Sequence, residues 1–529
     1  MHITSPHGLP RTGLSLLALL LATGCSADKG MSASDFNDTG YGGDGYASDG
    51  GASDGGSGDS DTGMGSETED SYFRLAPAST TAFVFVANPD RDTVTRIAVP
   101  SLEVITTEVG DRPTVVTTTS DYTKAVTFNE GSDSVSIIDA GTLAVSDVDV
   151  RPNFNNMSMS PDGRFVICWH DPAVTDTESS GSGAQSFNEI SVVDTVSLNH
   201  TPLVVGFNPR GVTFTPDSSK AVVVSDAYVA VLDLTADELS PTRIAVSDDL
   251  VNPPLAEEIV VAPSGTYAFV RQFGATALVV VDLIDAVADT VAVGANPTDL
   301  DLTPDGTQAV AVARGSHELW VYSVADPFAP AQVVSMPDTE TFGSVVMSPD
   351  GSRGLLYSTA SGDSVYGTWE LSDDSVTVRS LVKPVASVSM SPTGETALFF
   401  HPKDNGNDVD SSSEFYDHYG LTMVDVVDDF FPNPLRLPAQ PIGFANSGDG
   451  SQGYMIMDGA PYLEVLHYGS LLYDEVELKS NPVFVGVLPE STLAYVSQEH
   501  ALGRISFYDP DSQILQTITG FELNSGIEH

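Results

Sequence analysis

Met159-Ser160-Pro161-Asp162-Gly163-Arg164-Phe165-Val166 reads as the end of one apolar strand, a tight polar turn and the start of a second strand. Pro presets φ, Asp bonds back to the local backbone, and Gly accepts a positive φ, so these residues suit a hairpin turn. The pattern recurs as Thr215-Pro216-Asp217-Ser218, Thr303-Pro304-Asp305-Gly306, Ser348-Pro349-Asp350-Gly351 and Ser391-Pro392-Thr393-Gly394, each between alternating apolar runs. One hairpin is reused along the chain.

With that turn as a ruler, each unit divides into four short strands, a to d. In the third unit they are residues 156–160, 165–169, 190–194 and 203–207; in the fourth, 211–215, 221–225, 229–233 and 243–246. Corresponding turns fall near Ala78, Asp121, Asp162, Asp217, Ser264, Asp305, Asp350, Thr393, Asp449 and Glu490, which gives ten units about 46 residues apart. From residue 71 onward no segment of helical length keeps a 3.6-residue apolar period, so the chain is all-β. A four-stranded antiparallel unit at this period is a β-propeller blade, because its second apolar face needs a neighbouring blade to cover it. Ten blades fit one large ring, two tandem smaller rings, or a smaller ring with displaced units. The absence of a Gly/Ser-rich interruption favours one continuous array.

Phe85-Val86-Ala87-Asn88, Val109-Gly110-Asp111-Arg112-Pro113 and Val135-Ser136-Ile137-Ile138-Asp139, together with the Ser-Pro-Asp-Gly turns, resemble the bacterial YVTN-type propeller repeat. The literal Tyr-Val-Thr-Asn string is absent and the spacing is irregular. The resemblance implies an exported protein of the surface-layer type.

The N-terminus carries its own signals. Residues 1–25 read as an export signal, with an apolar run from Leu14 to Ala22 too short to stay as a membrane span. Ala22-Thr23-Gly24-Cys25 resembles a bacterial lipobox, which implies a lipid on Cys25, although Leu21 stands one place further back than the usual pattern. Residues 26–70 are Gly, Ser, Asp and Thr with eleven acidic residues against Lys29, the composition of a disordered tether. Residues 71–529 form the propeller domain. The only other cysteine, Cys168, lies in an apolar strand and reads as a buried thiol.

The 529 residues hold 21 Lys plus Arg against 73 Asp plus Glu, a formal charge of -52 that repels nucleic acid and anionic membrane surfaces. Membrane attachment is therefore expected only through Cys25. In a blade, a–b and c–d turns lie on one face, and b–c loops and d–a crossings on the other. The turn aspartates, and Asp139, Asp194, Asp233 and Asp282 at the ends of c strands, read as structural.

The two longest b–c interruptions, 171–188 and 402–418, share the second face, where binding specificity is expected. So do Arg112, Arg151, Arg210, Lys383 and Lys479 at the d–a crossings, the candidate residues for an anionic ligand. Asp404, Asp408 and Asp410, spaced around Gly406, are candidate calcium ligands, although the full EF-hand order is missing.

No nucleophile elbow, phosphate loop, Cys-x-x-Cys pair or histidine set at metal-ligand spacing is present. His401 and His418 flank one loop without a third partner. The reading is a monomeric, lipid-anchored module of the bacterial envelope that binds a protein or polysaccharide. A lactonase-like hydrolase and a passive surface-layer component are the alternatives.

Overall fold

The structure is a computed structural model that describes residues 77–170, 188–250, 253–254, 256–272, 274–427 and 430–523. The export signal, Cys25, the acidic tether and nearly all of the first insertion lie outside the described residues. Ten four-stranded antiparallel sheets, each in the order a-b-c-d, span residues 78–108, 113–149, 156–204, 211–245, 256–292, 297–335, 344–380, 387–437, 441–477 and 482–519. Among the described residues, the only helix is three short 3-10 turns, Pro89–Arg91, Arg314–Ser316 and Phe521–Leu523.

The recurring hairpin behaves as its sequence dictates. In blade 3, Val166 pairs with Met159 across the turn. Ser160 Oγ donates to Asp162 Oδ1 at 2.6 Å, and the same carboxylate oxygen accepts from the backbone N–H of Arg164 at 3.0 Å. The pattern repeats at Thr119/Asp121, Thr215/Asp217, Thr303/Asp305, Ser348/Asp350 and Ser447/Asp449. At the other turn on this face, Asp139 accepts from the N–H of Gly141 and Thr142, and Asp194 from that of Val196 and Ser197. The turns also stack around the ring. Gly306 has φ +65, and a Cβ there would come within 2.4 Å of Pro263 in the preceding blade's turn, so a side chain is excluded twice over.

Alternation along each strand gives every sheet two apolar faces, and each face meets a neighbour. Phe269, Leu278 and Val280 of blade 5 pack on Leu300, Ala309 and Ala311 of blade 6. Val84 and Ile97 of blade 1 pack on Leu488, Tyr495, Ile505 and Phe507 of blade 10. In tandem rings blade 5 would close on blade 1 and blade 6 on blade 10. These seams exclude that arrangement, and the fold is one ten-bladed β-propeller. Each fully buried aliphatic or aromatic side chain in a seam contributes about 1.5–3 kcal/mol, so ten seams hold a ring whose first and last blades share no strand.

Several of the scarce basic residues hold blades together. Arg96 donates to the carbonyls of Ala140 and Gly141 at 2.8 and 2.6 Å, Lys124 to Thr195 at 3.0 Å, and Lys220 to Gly265 at 2.8 Å, each reaching the next blade's turn.

Candidate functional site

Strand directions place the b–c loops and d–a crossings on one face of the ring. The insertion at 171–187 joins strands Phe165–Trp169 and Glu189–Asp194 of blade 3, and that at 402–418 joins Thr396–His401 and Tyr419–Asp425 of blade 8. Four blades lie between them in either direction round the ring, so they spring from opposite sides of one face.

Beneath that face lies a layer of buried polar groups. Asn88, at the end of strand b, donates to Thr93 and Thr95 on strand c at 3.0 and 2.9 Å, and Thr95 meets Thr106 on strand d at 3.1 Å. In blade 2, Asn129 bonds to Ser134 and Ser136, and Ser136 donates to Asp147 at 2.6 Å. Gln498 does the same to Ser506 in blade 10, while its carbonyl oxygen accepts from the N–H groups of Lys479 and Ser480 in the crossing. This is what the Asn in Phe-Val-Ala-Asn is for: it ties strand b to strand c, and its relatives secure the d–a crossing.

His401 occupies the same layer in blade 8. It is buried; its Nδ1 lies 2.8 Å from the Pro384 carbonyl and its Nε2 2.7 Å from Thr422 Oγ1. The carbonyl can only accept, so Nδ1 carries the proton and Thr422 donates to Nε2. Burial pushes His401 down to about 4, with nearby Lys383 adding to the effect, so it is neutral near pH 7. His418 bonds instead to the Tyr416 carbonyl, so the structure gives the two histidines separate partners.

Lys383 departs most from its sequence reading. It is fully buried, and its ammonium donates to the carbonyls of Lys403 and Phe415 and to Asn405 Oδ1 at 3.2, 3.1 and 3.2 Å. An ammonium has three donors, and these acceptors take all of them, leaving none for an external anion. It serves as an internal cation around which the 402–418 loop folds, and burial lowers its pKa against the pull of Asp404 and Asp417. The loop also leans on blade 7, where Asn407 N–H donates to Gly362 O at 2.8 Å and Ser364 N–H to Asp408 Oδ2 at 3.0 Å.

The candidate calcium ligands have other occupations. Asp404 accepts from Gly406 N–H, Asp408 from Ser364 N–H and Asp410 from Ser412 N–H. Among the described residues no group of three or more His, Cys, Asp and Glu side chains is arranged to hold a metal ion, so these carboxylates are not brought together.

The candidate arginines are likewise paired. Arg112 meets Glu130 at 3.6 Å, Arg151 meets Glu189 at 3.3 Å, and Arg210 meets Asp226 at 2.7 Å, each within its own blade. The Arg112 and Arg151 side chains stay about half exposed in these pairs, while Arg210 is mostly covered. Lys479 is exposed. Cys168 is buried and free, and burial raises its thiol pKa, which suits a small hydrophobe.

Two residues of this face were missed from sequence. In Tyr462-Leu463-Glu464-Val465-Leu466, alternation assigns Glu464 to the same face as Leu466, and Glu464 is only 2% exposed. Opposite it in the register stands Glu475. An acidic residue at an inward position of a strand was the available signal.

No family model matches the chain, and no curated protein matches it. Solved structures align with it at low identity. Dihydro-heme d1 dehydrogenase NirN in complex with DHE aligns with a TM-score of 0.42 and 15% identity over 68% of this chain and 74% of that one. A eukaryotic initiation factor aligns with a TM-score of 0.47 and 12% identity over 77% and 96%. Hydrazine synthase of Kuenenia stuttgartiensis gives 0.31 and 17% over 60% and 98%.

Proposed function

We propose that the chain is an exported, lipid-anchored β-propeller of the bacterial envelope that binds or scaffolds a protein or polysaccharide across the face carrying the two insertions. One observation supports this most: the 402–418 loop is held in shape by the buried ammonium of Lys383 and braced on blade 7. A loop ordered before its partner arrives loses less conformational entropy on binding. Its outer residues, including Ser411 and Glu414, stay exposed.

The test is capture from envelope extracts with the full chain. It is repeated with residues 172–187 deleted and, separately, with Ser411→Arg and Glu414→Arg together. The proposal expects one partner to be lost in both variants. Undiminished capture by both would move the binding surface elsewhere. The anchor is tested by metabolic labelling with a fatty acid, where Cys25→Ser should abolish the label.

A further inference from the structure

Blade 9 breaks the polar layer in a particular way. In blades 1, 2, 8 and 10, the c-strand residue opposite the b-strand residue two before that strand's end is Thr95, Ser136, Thr422 and Ser506; in blade 9 the same count, made along strand b because a bulge shifts the register between Ile456 and Met457, leads through Met455 to Glu464. Each hydroxyl is met by the polar b-end residue, Asn88, Asn129, His401 or Gln498. Its d-strand neighbour is Thr106 in blade 1, Asp147 in blade 2 and Thr517 in blade 10, always within hydrogen-bond reach. In blade 9 the b strand ends in Met457, which has no donor, and the c position is Glu464. Its d-strand neighbour is Glu475. Two carboxylates thus occupy a place where other blades pair hydroxyls, or a hydroxyl with a carboxylate.

The consequence is visible at Glu464, whose Oε2 is buried without a hydrogen-bond partner. Leaving such an acceptor unmet destabilises the fold, and more so when the group is charged. The two carboxylates face blade 8, since Met455, the partner of Glu464, belongs with Leu466 to the seam shared with Leu421 and Met423. Across that seam, strand Phe431–Leu437 shows Asn433 and Leu435, and its side-chain alternation turns Arg436 away. On the same face of blade 9, Tyr462 and Tyr473 flank the pair, and both are partly open to solvent, as is Glu475. This seam lies beside the blade whose b–c loop is the 402–418 insertion.

We propose that the carboxylate pair at the edge of this seam between blades 8 and 9 receives a cationic side chain, an arginine or lysine, from a protein partner. Directly opposed residues place their Cβ atoms about 4.5–5.5 Å apart, so one guanidinium can donate to both carboxylates, and tyrosine rings favour a cation beside them. A metal ion is the poorer fit, because among the described residues no third acidic, His or Cys group joins the pair. The inference rests on the insertion face being the binding face and chooses protein over polysaccharide.

The test is calorimetric titration of the full chain with a terminally blocked tetra-arginine peptide at physiological salt, with tetra-alanine as the neutral control. Glu464→Gln with Glu475→Gln is compared with Asp237→Asn with Glu238→Gln, which removes equal charge from an exposed c–d turn of blade 4 on the other face of the ring. The expected result is at least a tenfold loss of affinity in the first pair and less than twofold in the second. Equal losses in both, or no arginine-dependent heat with the unaltered chain, would overturn the inference. Circular dichroism melts check that each variant folds. If the Glu464/Glu475 variant still captures the envelope partner that the loop variants lose, the cation site falls while the binding face stands.

Discussion

The hydroxyl of Tyr495, on strand b of blade 10, donates to the carbonyl of Pro77 at the head of blade 1, 3.2 Å away and separated by 418 positions in sequence. Around it, Ser79 Oγ reaches Val487 O, Arg91 meets Glu522 at 3.4 Å, and Phe521 fills the seam between the two blades. Closure is thus a side-chain seam tightened by a C-terminal 3-10 turn. Phe521→Ala should lower stability by about 3–5 kcal/mol. Arg91→Ala, which breaks a partly exposed pair, should cost no more than about 1 kcal/mol. Denaturant unfolding followed by tryptophan fluorescence and circular dichroism checks both. A Phe521→Ala chain as stable as the parent would show that the seam does not close the ring.

Lys383→Met should detach the 402–418 loop. The substitution leaves two carbonyls and the Asn405 amide oxygen without their donor, and three stranded acceptors cost together roughly 3–6 kcal/mol unless the loop opens to water. The expected outcome is rapid protease cleavage between residues 402 and 418 with the rest of the ring intact, read by mass spectrometry of the fragments. Added calcium should not restore protection, because Lys383 supplies the cation. Resistance equal to that of the parent would refute its organising role.

The hairpin turns and strand alternation made the blades legible, since Pro, Asp, Gly and period-two apolarity act within a few residues of where they stand. The uninterrupted repeats favoured a single ring, but the contacts that close it were not legible, because Tyr495 meets Pro77 only after every intervening blade is counted and curved. The pairing of the arginines was not legible for a related reason. Sequence placed Arg112, Arg151 and Arg210 on the right face but could not show that Glu130, Glu189 and Asp226 stand against them. Lys383, between Val382 and Pro384 in a crossing, resembles any surface lysine until the insertion folds back over it.

The turn aspartates predict acid sensitivity. Hydrogen bonds from Thr215 and from Ser219 hold the Asp217 carboxylate at about 2, and Asp121, Asp305 and Asp350 are lowered in the same way. A depressed folded pKa gives stability that is present above the unfolded value near 4 and lost as pH falls toward 2. The melting temperature should therefore drop steeply over that interval. Asp305→Asn should shrink the drop while lowering stability at pH 6. An unchanged acid limb in a chain carrying Asn at 121, 217, 305 and 350 would contradict the assignment.

Glu464 should act in the opposite direction. Burial first, and the charge of Glu475 second, push its carboxyl up to about 7. Besides Glu475, Glu477 and the two tyrosines of its own sheet, blade 8 turns Tyr419 and Asp425 toward this seam, none of them a cation. The folded state then holds a proton that the unfolded state releases between about pH 4.5 and 7, so this residue's contribution falls as pH rises through that window and stays low above it. Glu464→Gln removes the slope and should stabilise the ring at pH 8 by roughly 3 kcal/mol, the equivalent of the shift. The same substitution is expected to weaken arginine binding, and in the parent chain that binding should be tighter at pH 8 than at pH 6, since only the ionised pair attracts a cation. A gain in stability joined to a loss of binding is what a site held at the fold's expense produces; a variant that loses stability at pH 8 would mark Glu464 as an ordinary packing residue.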